Sequence, residues 1–515
     1  MSATTAAAPL PPSAPVAVVG AGAMGAGIAQ VAALAGHPVR LLDNRPGAAA
    51  RAVDELRATL AKLAAKGKLD PAQADAAASR LAAVESLDGL ADAALVVEAI
   101  VENLEAKRAL FRDLEARVGE HCLFGTNTSS ISVTAIAAGL ARPERLAGLH
   151  FFNPAPLMAL VEIVSGLATA PAVADTLFAT AAAWGKTPVH ARSTPGFIVN
   201  RVARPYYAEA LRLVSEGAAD TATLDALYRE AGGFRMGPFE LMDLIGHDVN
   251  FAVTSSVWKA YYHDPRFTPS LVQEELVNAG YLGRKSGRGF YAYGEGASTA
   301  AAAPVSSAAA PCPAKITLFG ASPAANALAQ RLSAAGVAHG RSPAADDGRL
   351  AEADGAVLYV TDGRTATRRA AESGVAATVL IDLALDYAAA PRLALACALQ
   401  CPEAVRAAAI GLLQAAGFAV AELADVPGLA LMRTVVMLAN EAADAVNQGV
   451  CSPDAVDAAM RLGTNYPCGP LAWAERVGPA AVVAVLGHLA ATYGEDRYRI
   501  SPFLQQRVHA GKDLH

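Results

Sequence analysis

The sequence has few of the features that mark membrane, metal-binding or nucleic-acid-binding proteins. Its six cysteines form none of the Cys-x2-Cys pairs of a zinc site. Acidic residues such as Asp92 and Glu98 interrupt the apolar runs, so that none approaches the roughly 20 residues of a membrane span. We therefore expect no metal and no membrane partner, and the scattered cysteines indicate reduced thiols in a cytoplasm.

The chain also lacks an excess of positive charge. With 42 basic and 48 acidic residues its net charge is −6, which gives no indication of nucleic-acid binding and favours a small-molecule partner. Residues 1–15 are rich in Ala and Pro and contain no Lys or Arg, unlike a secretory or transit peptide. We expect a disordered tail there.

The remaining sequence indicates several domains, since 515 residues exceed what one hydrophobic core supports. Over residues 16–193 strand and helix patterns alternate, which predicts an α/β domain with a doubly wound parallel sheet. Residues 194–294 show helical periodicity and few strand signals, which predicts an all-α domain. The Ala-, Ser- and Pro-rich residues 295–314 are interpreted as a flexible linker.

A glycine-rich turn opens the α/β domain. Gly20, Gly22 and Gly25 follow the apolar run Val16–Val19 and precede a helical run, as in dinucleotide-binding Rossmann domains. The first glycine makes the turn, the second lets the backbone approach a pyrophosphate, and the third lets the helix pack on the strand. The helix start, which includes Ala23 and Met24, would face the phosphates.

The next predicted strand ends at Asp43, whose carboxylate would bond both hydroxyls of the adenosine ribose and repel a 2′-phosphate. This favours NAD over NADP. Arg45 lies close enough in sequence to pair with such a phosphate instead, although we interpret it as a solvated residue.

A histidine and a carboxylate follow downstream. His150 comes after a strand-like stretch that would deliver it to the carboxyl edge of the sheet, where ligands of such folds bind. Glu162, on the next apolar run, could return to the same edge, orient one ring nitrogen and raise the basicity of the other. A structural histidine and a surface glutamate are the alternatives. A proton-transfer pair beside a hydride carrier suggests an alcohol dehydrogenase.

The sequence pattern of the first half, an α/β segment followed by a helical domain, recurs beyond the linker in weaker form. Identical residues recur at one constant spacing without a gap: Pro195 and Pro427, Gly196 and Gly428, Arg201 and Arg433, Glu209 and Glu441, Gly217 and Gly449, Asp225 and Asp457, Gly237 and Gly469, Pro238 and Pro470, Gly246 and Gly478. We predict a degenerate Rossmann-like segment over 315–425 and a second helical domain over 426–515. Because Ser322 and Ala325 replace two glycines, we expect no dinucleotide there.

Five motifs resemble those of the 3-hydroxyacyl-CoA dehydrogenase family in order and spacing. They are Gly20-x-Gly22-x-x-Gly25, residues 96–103, Asn127-Thr-Ser129-Ser, His150-Phe-Phe-Asn153-Pro and residues 195–201. The resemblance covers residues 16–293, with a second copy of the C-terminal domain after Pro427. It implies a Rossmann-type domain followed by an all-α domain of the 6-phosphogluconate-dehydrogenase-like type.

The resemblance also implies residue roles. His150 would be the general base that takes the 3-hydroxyl proton while hydride leaves C3 for the nicotinamide, and Glu162 would be its partner. Ser129 and Asn200 would hold substrate oxygens, Glu102 would lie near the nicotinamide, Asn127 would belong to the cofactor site, and Asn153 would join that site and support the polar cluster. Ser129 could instead be a turn residue, Asn200 the cap of a helix from Arg201, and Glu102 a capping carboxylate.

Three cations are candidates for binding the rest of the substrate. Lys66 and Lys68 lie where relatives carry lysines for coenzyme A, although a solvated loop would look the same. Arg204 follows Asn200 by four residues, so a helix over 201–213 would place both on one face. Its guanidinium could then bind the terminal carboxylate of a dicarboxylic acyl chain, or form an ion pair with Glu209 or Asp243.

We therefore expect NAD-dependent oxidation of a (3S)-3-hydroxyacyl-CoA at one site per chain, since Met432 replaces Asn200 in the second copy. Residues 153–168, 201–207 and 244–250 are most similar to family members that act on 3-hydroxyadipyl-CoA in phenylacetate catabolism. The alternatives are a 3-hydroxybutyryl-CoA dehydrogenase of fatty acid or butanoate metabolism, including an NADP-linked reductase, and a non-catalytic NAD(H)-binding protein. The second helical copy predicts a monomer with an internal pseudo-dimer, or else a homodimer.

Overall fold

The computed structural model describes residues 7–294 and 303–515. These residues form two compact units. Unit 1 holds the described residues up to Arg201 together with Gln448–Thr464, and unit 2 holds Val202–Asn447 together with Asn465–His515. Each unit thus contains segments from both halves of the chain.

The elements of the first half are β1 (Val16–Val19), α1 (Ala23–Leu34), β2 (Val39–Leu42), α2 (Ala48–Ala65), α3 (Pro71–Arg80), β3 (Leu81–Ala83), β4 (Leu95–Glu98), α4 (Leu104–Glu115), β5 (Leu123–Thr126), α5 (Val133–Ala137), β6 (Leu146–Phe151), β7 (Leu160–Ser165), α6 (Pro171–Ala183), β8 (Thr187–Arg192), α7 (Val199–Val202), α8 (Arg204–Ser215), α9 (Thr221–Glu230), α10 (Pro238–Ile245), α11 (His247–Ala260) and α12 (Leu271–Asn278).

The elements of the second half are β9 (Ile316–Phe319), α13 (Pro323–Ala334), β10 (Gly340–Ser342), β11 (Ala351–Ala353), β12 (Ala356–Val360), α14 (Ala366–Ser373), β13 (Thr378–Ile381), β14 (Arg392–Cys397), α15 (Glu403–Ala415), β15 (Ala419–Glu422), α16 (Leu431–Asn447), α17 (Pro453–Thr464), α18 (Pro470–Val477), α19 (Pro479–Tyr493) and α20 (Pro502–His509).

The sheet of unit 1 has eight strands in the order β3-β2-β1-β4-β5-β6-β7-β8. All neighbouring pairs are parallel except β6 and β7. Helices cover the sheet, so its central strands are buried along their whole length, as in other parallel sheets. The strand order confirms the doubly wound Rossmann-type domain, and the antiparallel register places His150 opposite Glu162.

The second sheet, in unit 2, is a reduced version of the first. Its seven strands follow the order β10-β9-β11-β12-β13-β14-β15, and β11 runs antiparallel to both of its neighbours. Where the first sheet presents an open helix start, the Ser322 hydroxyl accepts a hydrogen bond from the Ala325 N–H, and Pro323 has no N–H. At this helix start one N–H group is bonded to Ser322 and another is absent at Pro323, so fewer donors remain for a phosphate than at α1.

The two helical copies share local geometry as well as sequence. The turn before the first helix has φ of 77° at Gly196 and 48° at Phe197, and its counterpart has 73° at Gly428 and 52° at Leu429. Since left-handed backbone is uncommon for a residue with a side chain, the repeated strained turn confirms the duplicated helical domain.

The copies also exchange reciprocal contacts. Within unit 2, Glu209 of the first copy binds Arg497 of the second at 3.4 Å, and Glu441 of the second binds Arg266 of the first at 3.1 Å. Such paired contacts, in which each side offers the same two residue types, are the signature of a twofold interface. They support the internal pseudo-dimer.

Each half of the chain also contributes a helix that packs on the sheet formed by the other half. In unit 1, α17 from the second copy packs on β7 and β8, and the Arg192 N–H donates to the Val450 carbonyl at 2.9 Å. In unit 2, α9 from the first copy packs on β14, and the Ala424 N–H donates to the Ala218 carbonyl at 3.0 Å. Each sheet is therefore completed by a helix from the other half of the chain.

Three expectations about order and boundaries need revision. Residues 7–15, expected to be tail, are in contact with the domain, since the Leu10 N–H donates to Thr180 Oγ1; residues 1–6 lie outside the described residues. Residues 303–314, the described part of the expected linker, are held by Gln414, whose side chain bonds the backbone of Ser307, Ala308 and Ala310; residues 295–302 also lie outside the described residues.

The third revision concerns the helix expected over 201–213. The structure has two helices, α7 and α8, with a break at Ala203. Pro205 accounts for the break, because its ring nitrogen cannot donate to the preceding turn. Asn200 therefore lies inside α7 and is not a helix cap, while Arg204 is the first residue of α8.

Among the described helices, no single one is long and apolar enough to cross a membrane. One pair, α18 and α19, reaches that length only across a 96° bend.

Candidate active site

The glycine turn has the shape that a dinucleotide requires. A Cβ on Gly25 would lie 1.8 Å from the Gly20 carbonyl oxygen, and one on Gly20 would lie 2.4 Å from that of Ala99, so packing forbids side chains at both positions. A Cβ on Gly22 would meet nothing within 4 Å. Gly22 thus faces open space, which a pyrophosphate would fill.

The start of α1 offers donors to that space. The first intrahelical bond runs from the Ala26 N–H to Gly22, and no side chain caps the helix. The N–H groups of Ala23, Met24 and Gly25 therefore have no partner within the helix and can bind an anion. Gly20 and Gly22, which precede these groups, line a cleft of about 1190 Å³ that also includes Asp43 and Ile100. The residues present fit NAD.

Asp43 lies in this cleft, as the sequence indicated. Its Oδ2 accepts the Ala21 N–H at 2.8 Å, and Oδ1 accepts the Arg45 Nε–H at 2.9 Å. The hydrogen bonds from Arg45 hold the pKa of Asp43 below its usual range, more than offsetting the effect of burial. Arg45 is two-thirds exposed but is an ion-pair partner of Asp43, so interpreting it as merely solvated missed this contact.

This pair predicts how cofactor preference would change. Replacing Asp43 with Ser removes the negative charge that repels a 2′-phosphate and frees Arg45 to bind it. We expect the ratio of kcat/KM for NADP to that for NAD to rise about ten- to a hundredfold, the effect of one charge-assisted hydrogen bond. The double variant Asp43→Ser, Arg45→Ala should lose this gain. An unchanged ratio in the single variant would contradict the role of Asp43.

His150 and Glu162 form a buried pair across β6 and β7. His150 Nδ1 lies 2.6 Å from Glu162 Oε2, and the two side chains are 7% and 0% exposed. Because a carboxylate only accepts, Nδ1 carries the proton in this hydrogen bond and Nε2 keeps its lone pair. Within the described part of the chain, Nε2 makes no hydrogen bond. The pair is oriented for general-base catalysis.

Glu162 also anchors the chain that carries Asn200. Its Oε1 accepts the N–H groups of Ile198 and Val199, both at 3.0 Å, at the start of α7. One carboxylate therefore fixes both the histidine ring and the helix on which Asn200 lies. A surface position for Glu162 is ruled out by its complete burial.

Glu102 organises the loop after β5. Its Oε1 accepts the Thr128 hydroxyl at 2.6 Å and the N–H groups of Ser129 and Ser130 at 3.0 and 3.1 Å. Burial would raise the pKa of Glu102, but these hydrogen bonds and the charge of Lys107 outweigh it and lower the pKa. Glu102 thus holds the loop of residues 128–130 and caps neither α4 nor α5, whose first turns are capped by Asn103 and Ser132. Its place near the nicotinamide stays a prediction.

Ser129 and Asn200 are neighbours. The Asn200 Nδ2 lies 3.4 Å from the Ser129 carbonyl oxygen, which leaves the Ser129 hydroxyl and the Asn200 carbonyl oxygen for another partner. Asn127 Oδ1 accepts the Phe151 N–H at 2.8 Å and so ties β5 to the residue after His150. The loop after β5, the strands β6 and β7, and α7 therefore bring together six of the predicted residues: Glu102, Asn127, Ser129, His150, Glu162 and Asn200.

Other predicted residues have no such links. Asn153, Lys66 and Lys68 are exposed, and the structure gives their side chains no hydrogen bond or ion pair with the residues it describes. Arg204 belongs to unit 2. The roles of these four residues stay predictions.

Two buried residues under the loop escaped the sequence analysis. Glu98, 0% exposed, accepts Lys107 Nζ at 2.6 Å and the Thr126 hydroxyl at 2.6 Å. Lys107, 1% exposed, also lies 3.3 Å from Glu102. The sequence signal for Glu98 is its position as an acidic residue at the end of the otherwise apolar strand β4. On sequence alone, that residue served only to exclude a membrane-spanning segment.

Comparisons with known proteins agree with this geometry. Residues 15–194 match the NAD binding domain of 3-hydroxyacyl-CoA dehydrogenase, and residues 196–293 and 428–513 both match its C-terminal domain. The chain belongs to the 3-hydroxyacyl-CoA dehydrogenase family. Residues 358–427 match the 3-hydroxybutyryl-CoA dehydrogenase reduced Rossmann-fold domain, which confirms the degenerate segment.

One curated protein and one crystal structure, both from Escherichia coli K12, match nearly the whole chain. A 3-hydroxyadipyl-CoA dehydrogenase is 45% identical over 96% of this chain and 97% of its own length. The crystal structure of a 3-hydroxybutyryl-CoA dehydrogenase superimposes with a TM-score of 0.87 at 44% identity, over 97% of this chain and 98% of that one. The mitochondrial hydroxyacyl-coenzyme A dehydrogenase of Sus scrofa is 41% identical over 54% of this chain and 90% of its own length. This dehydrogenase therefore carries a second half that some relatives lack.

Proposed function

We propose that this NAD-dependent 3-hydroxyacyl-CoA dehydrogenase oxidises (3S)-3-hydroxyadipyl-CoA to 3-oxoadipyl-CoA in aromatic catabolism. The observation that carries the chemistry is the buried His150–Glu162 pair at 2.6 Å, with Nε2 of the histidine available. The choice of acyl group is supported by the relative of nearly equal length that is named for 3-hydroxyadipyl-CoA.

Each site residue has its own role in the proposed reaction. NAD, when bound, supplies the acceptor for the hydride that leaves C3. His150 Nε2 takes the hydroxyl proton as the C3–O bond becomes a carbonyl, and Glu162 stabilises the resulting imidazolium. The Ser129 hydroxyl and the Asn200 side chain orient the C3 oxygen and the thioester. In the reverse direction the imidazolium returns its proton to that oxygen.

The other assignments belong to the same proposal. Glu102, Asn127 and Asn153 contribute to the nicotinamide side of the site, and Lys66 and Lys68 bind the phosphates of coenzyme A. The protein acts in the cytoplasm as a monomer with an internal pseudo-dimer. This oligomeric state is supported by the reciprocal ion pairs of Glu209 and Glu441 within one chain.

A 3-hydroxybutyryl-CoA dehydrogenase is the second candidate, because the full-length structural relative carries that name. The two are separated by kcat/KM for 3-hydroxyadipyl-CoA, 3-hydroxyhexanoyl-CoA and 3-hydroxybutyryl-CoA, followed by NADH absorbance. We expect the adipyl thioester to be preferred by about tenfold or more, the value of one charge-assisted contact. A preference for the butyryl thioester would favour the second candidate, and absence of turnover with every thioester would refute the dehydrogenase.

A further inference from the structure

A small polar cavity lies within unit 2, where the two helical copies meet. Its volume is about 120 Å³, the space of about four water molecules in the liquid. Every lining residue belongs to unit 2 and none is acidic. The wall includes Arg204 and Arg212 of α8, Thr254 of α11, Gln273 of α12 and, from the second copy, Arg497. Three arginines without a carboxylate form a wall suited to an anion.

The charges around this cavity do not balance. Four arginines lie in its wall or in ion-pair contact with it, and three of them have carboxylate partners. These ion pairs are Arg212–Glu495 at 2.9 Å, Arg497–Glu209 at 3.4 Å, Arg433–Glu209 at 2.8 Å and Arg433–Glu216 at 2.7 Å. Arg204 is the fourth arginine, and no carboxylate of the described residues pairs with it. Four guanidiniums thus face three carboxylates, which leaves an excess of one positive charge.

The excess charge belongs to Arg204. This residue is 5% exposed, its Nη1 donates to the Thr254 hydroxyl at 3.0 Å, and its guanidinium lies 4.9 Å from the centre of the Tyr207 ring. Its Nε is buried and makes no hydrogen bond within the described part of the chain. A buried arginine stays charged, and an uncompensated buried charge is costly. An anion that accepted from Nε would therefore stabilise the folded protein.

The carboxylates considered as ion-pair partners for Arg204 are engaged elsewhere. Glu209 binds two other arginines of the network. Asp243 binds His247 at 2.7 Å and accepts two backbone N–H groups of the turn that closes the first helical copy. A structural ion pair does not explain Arg204.

The second helical copy shows that the fold does not need a cation at this place. The repeat spacing, which shortens by one residue before the last helix, identifies the equivalent residues. They are Val436 for Arg204, Leu486 for Thr254 and Leu504 for Gln273. All three apolar residues are 0% exposed. The polar wall is therefore a property of the first copy and not of the helical fold.

The second copy also supplies its own compensating charge. Asp444 stands where Arg212 does at the spacing of the repeat. It pairs with Arg266, which corresponds to Arg497 at the shortened spacing. Glu441 binds the same arginine at 3.1 Å. The second place is thus apolar and has carboxylates for its arginine, whereas the first place keeps a buried cation beside a cavity.

We propose that this cavity binds one small carboxylate anion of the size of acetate, an inference that does not depend on the proposed function. A carboxylate carries one negative charge, which equals the excess in the network, whereas a phosphate monoester carries about −1.5 to −2. Its two oxygens lie in one plane and match the planar edge of a single guanidinium. Because Arg204 and Arg497 come from different copies, the bound anion would stabilise their pairing within the chain.

The test follows the Tm of the full-length protein in sodium acetate, in sodium phosphate and in sodium chloride of equal ionic strength. At acetate concentrations several times the Kd, we expect the Tm to exceed that in chloride by about 2 to 4 °C. Calorimetric titration should give one acetate per chain. Arg204→Val, which introduces the residue of the second copy, should abolish both effects. Arg235→Val, at an exposed arginine of the same copy, should retain them.

The comparison with the variant decides which anion the site prefers. Phosphate also stabilises proteins by exclusion from their surface, so for each anion only the part of the Tm rise that Arg204→Val loses is counted. A part for phosphate equal to or larger than that for acetate would overturn the carboxylate assignment. If Arg204→Val does not fold, Arg204→Met fills similar space without the charge and takes its place.

Two results would overturn the site itself. One is a wild-type Tm that is the same in acetate as in chloride, and the other is an acetate effect that persists in a folded Arg204 variant. Since binding and stability are measured without any thioester, neither result bears on whether the enzyme oxidises 3-hydroxyadipyl-CoA.

Discussion

Replacing His150 with Gln should lower turnover by about 10² to 10⁴, the usual contribution of a general base, while NADH binding is retained. Glutamine keeps a polar group near Glu162 but cannot accept and return the proton. Because the base takes a proton in oxidation and returns one in reduction, the rates of the two directions should depend on pH in opposite senses in the wild type. This opposite pH dependence should disappear in the variant.

The matched control is His190→Gln. His190 lies on β8 of the same sheet but is exposed, with its ring stacked on Phe178, so turnover and its pH profile should be unaffected. NADH binding is followed by fluorescence titration and turnover by absorbance. If the His150 variant retains both full activity and the wild-type pH profile, His150 is not the base.

A chain truncated after Tyr293 should not form a stable, active monomer. It removes Gln448–Thr464, which belong to the unit that carries His150 and Glu162. Val456 and Met460 of α17 are fully buried, and losing buried side chains of this size costs about 2 to 5 kcal/mol each, against a typical domain stability of about 5 to 15 kcal/mol. The apolar face of α8 that packs on α16 would also be uncovered.

The shortened chain should therefore aggregate or dimerise anew, with α9 of each chain taking the place of the missing α17 on the sheet of the other. Size-exclusion chromatography with light scattering gives the assembly state, and turnover is measured on each fraction. Activity confined to dimers would support the exchange of α9 and α17 between halves. A stable, active monomer would refute the covering role of the second half.

Much of the site could be predicted from sequence because its signals are local. Gly20, Gly22 and Gly25 are close in the chain, and each is required by backbone geometry that a short motif encodes. His150 and Glu162 each end or interrupt an apolar run, so their strands deliver them to one edge of the sheet. The break between α7 and α8 was also local and was missed, although Pro205 signals it.

Other features depend on contacts between distant parts of the chain. Arg201 donates to the Gln448 side chain at 2.9 Å, and a Cβ on Gly463 would lie 2.8 Å from Leu160 and 3.0 Å from Val199. Neither pair leaves a pattern in either local sequence. The support that α17 gives to β7, the strand that carries Glu162, therefore became visible only in the folded chain.

The sequence alone determined the family, the Rossmann-type domain, the duplicated helical domain and the pairing of His150 with Glu162, because hydrophobic periodicity and motif spacing are properties of short segments. Only the tertiary structure decided which half completes which sheet, and that Glu102 holds the loop of residues 128–130. It also showed that Arg204 is buried without a carboxylate partner. Burial and charge compensation are sums over every neighbour in space, and most of those neighbours are far apart in the chain.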